Sequence, residues 1–113
     1  MLKKNVLSGK RNFDEVYKRG KSIGHKYVVI FYKKNGLSYN RFGFLASKKV
    51  GNAVMRNRAR RLMKESVRLI GDLYFTGYDV IFIARNTIND TKCADVKKSI
   101  EAALRKTAMY KKK

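Results

Sequence analysis

A chain of 113 residues with 28 lysines and arginines against 8 acids carries a formal charge of +20, a self-repulsion that a bound polyanion would relieve. One cysteine, Cys93, and one histidine, His25, exclude an internal disulfide and leave no set of soft ligands for zinc. No apolar run approaches the roughly 20 residues that span a bilayer, and 44% hydrophobic residues are enough for the modest core of one domain, 1–113, with basic tails at 1–5 and 110–113.

Nucleic acid is the commonest partner for such a charge, because each neutralised phosphate releases condensed counterions. Anionic membrane is the alternative. The start Met1–Asn5 lacks the apolar stretch of a signal peptide, so the chain reads as soluble and cytoplasmic.

Ser8 can cap a first helix bearing Phe13, Val16 and Tyr17 on one face and stopping at Gly20, a residue suited to a left-handed exit. Tyr27–Tyr32 is β-branched and aromatic and reads as a strand. An exposed loop, Asn35–Asn40, leads to Arg41–Ala46, expected as its antiparallel partner. From Arg56 to Ile70 the period is helical. At about 100° per residue, Ala59, Leu62, Met63, Ser66, Val67, Leu69 and Ile70 gather on one side. Arg56, Asn57, Arg60, Arg61, Lys64 and Arg68 gather on the other.

Gly71 ends that helix, Gly77 marks a turn, and Tyr78–Ala84 is the last strand. A final helix is capped from Asn89 or Asp90 and has an apolar stripe of Cys93, Val96, Ile100, Ala103, Leu104 and Thr107. The order is αββαβα: an α+β, two-layer sandwich of helices against a small sheet, with two strands parallel around the Arg56–Ile70 crossover.

The cation arc of Arg56–Ile70 would present guanidinium forks to successive phosphates, and Lys48 and Lys49 extend the patch. The Gly51-Asn52-Ala53 turn leaves backbone amides free at the helix start, itself an anion site. Arg56 and Arg58 there oppose the helix dipole, a local cost better explained by a ligand than by folding. A merely solvated face would mix signs, and this one does not.

Phe13, Tyr17, Tyr27, Val29 and Phe31 form a second group, either a platform for stacking unpaired bases or part of the core; period two cannot say which strand face is buried. No catalytic arrangement stands out. The acids are scattered, Glu65 is isolated among cations, and His25 lacks a nucleophile or acid partner. Cys93 reads as a small core residue.

The run Ser47-Lys48-Lys49-Val50-Gly51-Asn52-Ala53-Val54-Met55-Arg56-Asn57-Arg58-Ala59-Arg60-Arg61-Leu62-Met63-Lys64-Glu65 closely resembles the signature of the protein subunit of bacterial ribonuclease P. The likeness extends to Phe13…Val16-Tyr17…Gly20, to Arg41-Phe42-Gly43 and to Ile83-Ala84-Arg85. It implies that the catalyst is an RNA acting with Mg2+, that this protein supplies no catalytic residue and binds no metal alone, and that precursor tRNA is cleaved to leave a mature 5′ end.

By motif position the resemblance makes Lys48, Lys49, Asn52, Arg56, Asn57, Arg58, Arg60, Arg61, Lys64 and Arg68 the contacts to ribonuclease P RNA. Phe13, Tyr17 and Phe31, with Val29 and Tyr27 on the same predicted face, would hold the single-stranded 5′ leader. Lys64 stands where the family often has arginine, exchanging a planar fork for a point charge. The implied fold has a small mixed sheet and a left-handed βαβ crossover, where the physical default is right-handed. A ribosomal or assembly protein that glues folded rRNA is the competing reading, and a sequence-specific DNA-binding module a weaker one; the resemblance implies neither DNA nor membrane as partner.

Overall fold

The computed structural model describes residues 3–70 and 75–109. Its elements are α1 (Lys10–Arg19), β1 (Lys21–Gly24), β2 (Val28–Lys34), β3 (Arg41–Leu45), α2 (Ala53–Ile70), β4 (Tyr78–Ala84) and α3 (Cys93–Arg105), with 3-10 turns at Lys3–Asn5 and Asn86–Asp90. The strands form one mixed sheet in the order β1-β2-β4-β3. This is the expected α+β fold with a small mixed sheet, with one strand more than the sequence indicated and with helices on both faces of the sheet rather than in the two layers expected.

Strand β4 occupies the interior because Val80-Ile81-Phe82 is buried on both faces, the signature of a strand with layers above and below it. On one face Val28, Ile30, Phe42, Val80 and Phe82 meet Ala59, Met63 and Val67 of α2 and Val96, Ile100 and Ala103 of α3. On the other, Ile81 packs with Val16 of α1 and Leu7, joined by the partly buried Phe13, Phe31, Leu45 and Ile83. The helices therefore divide two and one across the sheet.

Strand β3 pairs in parallel with β4, Arg41 opposite Asp79 and Phe44 opposite Phe82, and not antiparallel with β2 as expected. The reason is hydrophobic. The chain's most apolar strand takes the centre with a partner on each side, and β3, which contains Arg41 and Gly43, goes to the edge. A bidentate pair fixes the register there: Arg41 Nε and Nη2 donate to Asp79 at 2.8 and 2.7 Å. That pairing raises the Arg41 pKa above its ordinary value.

Strand β1 was not visible in the sequence because Lys21-Ser22-Ile23-Gly24 has a single strong β-former; its antiparallel pairing with β2 supplies what propensity does not. Gly9, not Ser8, stands at the N-cap of α1, and Ser8 instead accepts a bond from Asn12 through its carbonyl. Helix α2 begins at Ala53, three residues ahead of expectation, because Asn52 Oδ1 accepts the Met55 amide at 3.0 Å and caps it. Leu69, assigned to its apolar side, is 49% exposed.

Asn89 and Asp90 belong to the second 3-10 turn, and Lys92 caps α3 with Asp95 reaching back to its amide. Asn89 is not available for the role, since its Nδ2 donates to Val50 O at 2.7 Å. Residues 3–5, read as part of a solvated tail, are tied down: Asn5 Nδ2 donates to Asn40 O at 2.7 Å. In the loop Asn35–Asn40 only 36–38 are exposed, and Asn40 is buried with its amide bridging Phe75 O and the Tyr78 amide. The Gly71 helix stop and the residues 110–113 tail lie outside the described residues.

Gly20 ends α1 in extended geometry, φ −86°, rather than the left-handed exit. Glycine is needed for closeness instead. A Cβ there would stand 2.5 Å from both Val16 O and Tyr32 O, so α1 could not descend onto β2. Gly20→Ala is expected to cost about 1–3 kcal/mol as the helix shifts to make room, read as a lower urea midpoint with unchanged slope.

Candidate nucleic-acid interface

The cations on α2 do not form one uniform surface. Arg58 turns aside from the others: Nη1 donates to Asn89 O at 3.0 Å and Nη2 to Thr91 O at 2.5 Å, carbonyls that close the turn before α3. It braces α3 against α2. Arg56 donates to Gly51 O at 3.1 Å and so steadies the turn that starts its own helix. Arg60 bonds the Asn57 side chain one turn back. Arg68 closes its fork on Glu65, which lowers the pKa of Glu65 and raises that of Arg68. Glu65 is thus paired, not isolated.

Arg61 and Lys64 are left exposed, and no described residue makes a hydrogen bond or ion pair with either. Lys48 and Lys49 are exposed in the turn before the helix, with Asn52 and Asn57 exposed beyond them. Of the free amides expected at the helix start, the Met55 N–H is taken by Asn52 and the Arg56 N–H by Asn52 O. Helix α2 starts early enough that Arg58 lies in its second turn, where opposition to the dipole has faded.

The aromatic group lies across the sheet from α2. Tyr17 meets Phe31 edge to face with ring centroids 5.1 Å apart, and Phe13 follows at 6.5 Å from Tyr17. Phe13 lies so close over Gly43 that a Cβ there would stand 2.8 Å from its ring. Val29 and Phe31 share the partly buried face of β2 that turns toward α1. Tyr17 is 39% exposed at the rim. Burial first, and then the charge of Asp14, raises its phenol pKa, so the hydroxyl stays protonated as a hydrogen-bond donor.

Tyr27 does not join this group. It precedes β2 and packs against the larger core on the other side, with Lys26 Nζ 5.3 Å from its ring centre. Period two fails there because the chain enters β2 through a bend.

His25 Nδ1 lies 2.7 Å from Ser99 Oγ, and Cys93 Sγ 3.7 Å from Ser66 Oγ; among the described residues no carboxylate hydrogen-bonds the imidazole to orient it as a base, and no base contacts the thiol. Among the described residues no three His, Cys, Asp or Glu side chains converge as metal ligands.

A groove of about 830 Å³ that sequence reasoning missed lies beside the edge of β3, bounded by Phe44, Leu45 and Phe13 and by Val54, Asn57, Arg60, Arg61 and Lys64 of α2. Its signal was present only as Val54, an apolar residue within a cationic run, 73% exposed in the fold.

Fold and surface together define a small basic α+β protein with a cationic helix on one side of its sheet and a shallow aromatic cluster on the other. The chain belongs to the ribonuclease P protein family, whose model, described as Ribonuclease P, matches residues 1–108. A ribonuclease P protein component of Caldanaerobacter subterraneus subsp. tengcongensis is 42% identical over 107 residues, covering 95% of this chain and 92% of the relative. One from Clostridium botulinum is 41% identical over 110 residues, covering 96% and 99%.

The structure of Staphylococcus aureus RNase P protein matches with a TM-score of 0.83 at 27% identity, covering 95% of this chain and 98% of that one. The RNase P protein from Thermotoga maritima matches with 0.81 at 27%, covering 90% and 96%.

The different settings of the arginines separate folding from surface roles. Arg58→Ala should lower stability by about 1–3 kcal/mol, because it strips a charged donor from carbonyls at a packed turn. Arg61→Ala should stay within about 0.5 kcal/mol of the parent. Paired urea melts check both.

Proposed function

We propose that this chain is the protein partner of a catalytic RNA in ribonuclease P, and that it promotes removal of the 5′ leader from precursor tRNA in the cytoplasm. The observation that carries the reading, beyond family membership, is the separation of two surfaces by one sheet. Exposed Arg61 and Lys64 on α2, with Lys48 and Lys49, suit the phosphates of a folded RNA. Tyr17 and Phe31, an edge-to-face pair open at its rim, suit an unpaired strand whose bases stack on aromatics.

In this reading the protein performs two physical tasks. Cations reduce repulsion between two polyanions, an effect without base preference. The aromatic pair adds affinity that only a leader-bearing precursor can use, so precursor binds better than mature product. Magnesium supplies charge neutralisation and activation of water at the RNA. In this reading the protein's share is to bind, orient and neutralise.

Purified protein is expected to restore cleavage of precursor tRNA by its cognate catalytic RNA at low magnesium. No stimulation would overturn the reading and favour a scaffold on ribosomal RNA. Tyr17→Ala should weaken precursor binding by about 1–3 kcal/mol per lost stacked base while leaving product binding and the melting temperature near parent values. Arg61→Ala should reduce the slope of log affinity against log salt for the catalytic RNA by about one unit. An unchanged slope would mean that Arg61 faces solvent in the complex.

A further inference from the structure

We propose that the groove between the β3 edge and α2 holds one unstacked nucleotide of the catalytic RNA, its base against Phe44 and Val54 and its phosphate on Arg61 and Lys64. This rests on the reading that α2 meets a catalytic RNA, and adds to it a base-sized pocket on that face.

Leu7 N–H donates to Phe42 O at 2.8 Å, so the polar groups of Phe42 point away from β4. Two residues on, the N–H and C=O of Phe44 point the same way, because backbone orientation repeats every second residue of a strand. Residues 5–7 cover the edge at Phe42 through the Val6–Phe42 bridge, and the strand ends at Leu45. One outward residue is left. An added peptide strand needs a longer edge, whereas a single N–H and C=O match the adjacent acceptor and donor that every base carries on its pairing edge.

At about 830 Å³ the groove falls within the range of small-molecule sites, and no acid lines it. Phe44, Leu45 and the 73% exposed Val54 supply apolar walls, while Arg61 and Lys64 stand unpaired among the described residues at the rim. Apolar walls below a cationic rim suit a base with its phosphate, not a bare phosphate.

The rim belongs to α2, whereas the Tyr17–Phe31 pair lies over β2, two strands away across β4. Phe13 of that aromatic group also walls the groove, but the cations at its rim, Arg61 and Lys64, belong to the α2 face read as the contact to the catalytic RNA, and they assign the pocket to that RNA.

Amide-resolved NMR of the whole protein tests the pocket with adenosine 5′-monophosphate, ribose 5-phosphate and a neutral extended hexapeptide as probes. Saturable movement of the Phe44 and Leu45 amides is expected with the nucleotide alone, and about 10-fold weaker in Val54→Asp. An acid in the first turn of α2 favours the helix, so that variant should fold, and Val54→Ser separates the lost apolar contact from the added charge. Equal movement with ribose 5-phosphate would reduce the groove to a phosphate surface, movement with the peptide alone would make it a strand-addition edge, and no movement would leave it empty; each overturns the proposal.

Reconstitution then separates the sources. Val54→Asp should weaken binding of the catalytic RNA about 10-fold, while the preference for precursor over product follows Tyr17→Ala instead. Loss of that preference in Val54→Asp would put the leader in the groove and overturn the assignment to the catalytic RNA. If the parent protein stimulates no cleavage, the functional reading fails, and nucleotide-specific movement at Phe44 still reports whether the pocket exists.

Discussion

Burial of β4 on both faces is the constraint on which the remaining structure depends. A strand whose alternate side chains, Val80 and Phe82 on one side and Ile81 on the other, are all removed from water needs a layer above and a layer below. Helices α2 and α3 fill one face and α1 the other. Because β3 reaches β4 in parallel, the chain must cross over between them, and α2 is that crossover. Its apolar side is held to the core, so its opposite side must face outward. The position of the cations follows from the position of the most hydrophobic strand.

Within those cations the fold makes a second division. Arg58 satisfies carbonyls of the turn before α3, Arg56 a carbonyl of the turn before α2, and Arg68 the carboxylate of Glu65. Such bonds convert charge into local order, although the exposed Arg68–Glu65 pair adds little stability in water. Arg61 and Lys64 stay exposed and make no such bond among the described residues. A row of like-charged residues in one helix can therefore contain braces and contacts side by side, with angle and neighbours deciding between them.

Close backbone approach gives the aromatic side its shape. The absence of a side chain at Gly20 lets α1 down onto β2, and at Gly43 it makes room for the Phe13 ring. Phe13 becomes a partly buried wall, and Tyr17, one turn further along α1, stays open at the rim. The edge-to-face geometry of Tyr17 and Phe31 leaves ring area uncovered, unlike the nearly parallel Phe44 and Phe82 rings at 5.3 Å that close the opposite core.

The sequence by itself determined what depends on local pattern. Helical period placed α2 and separated its cations from Ala59, Met63 and Val67, hydrophobic content picked out β2 and β4, and the signature run identified the family. Tertiary structure alone decided what depends on distant partners. Period two marks two faces of a strand without saying what covers them, so the parallel pairing of β3 and the separation of Tyr27 from Phe31 were not legible. β1 lacked propensity of its own, and the Ser8 and Asn89 caps lost to Gly9 and Lys92. Charge counts every arginine equally, and only carbonyls brought from more than 30 residues away show that Arg58 is a brace, whereas Arg61 meets no hydrogen-bond or ion-pair partner among the described residues.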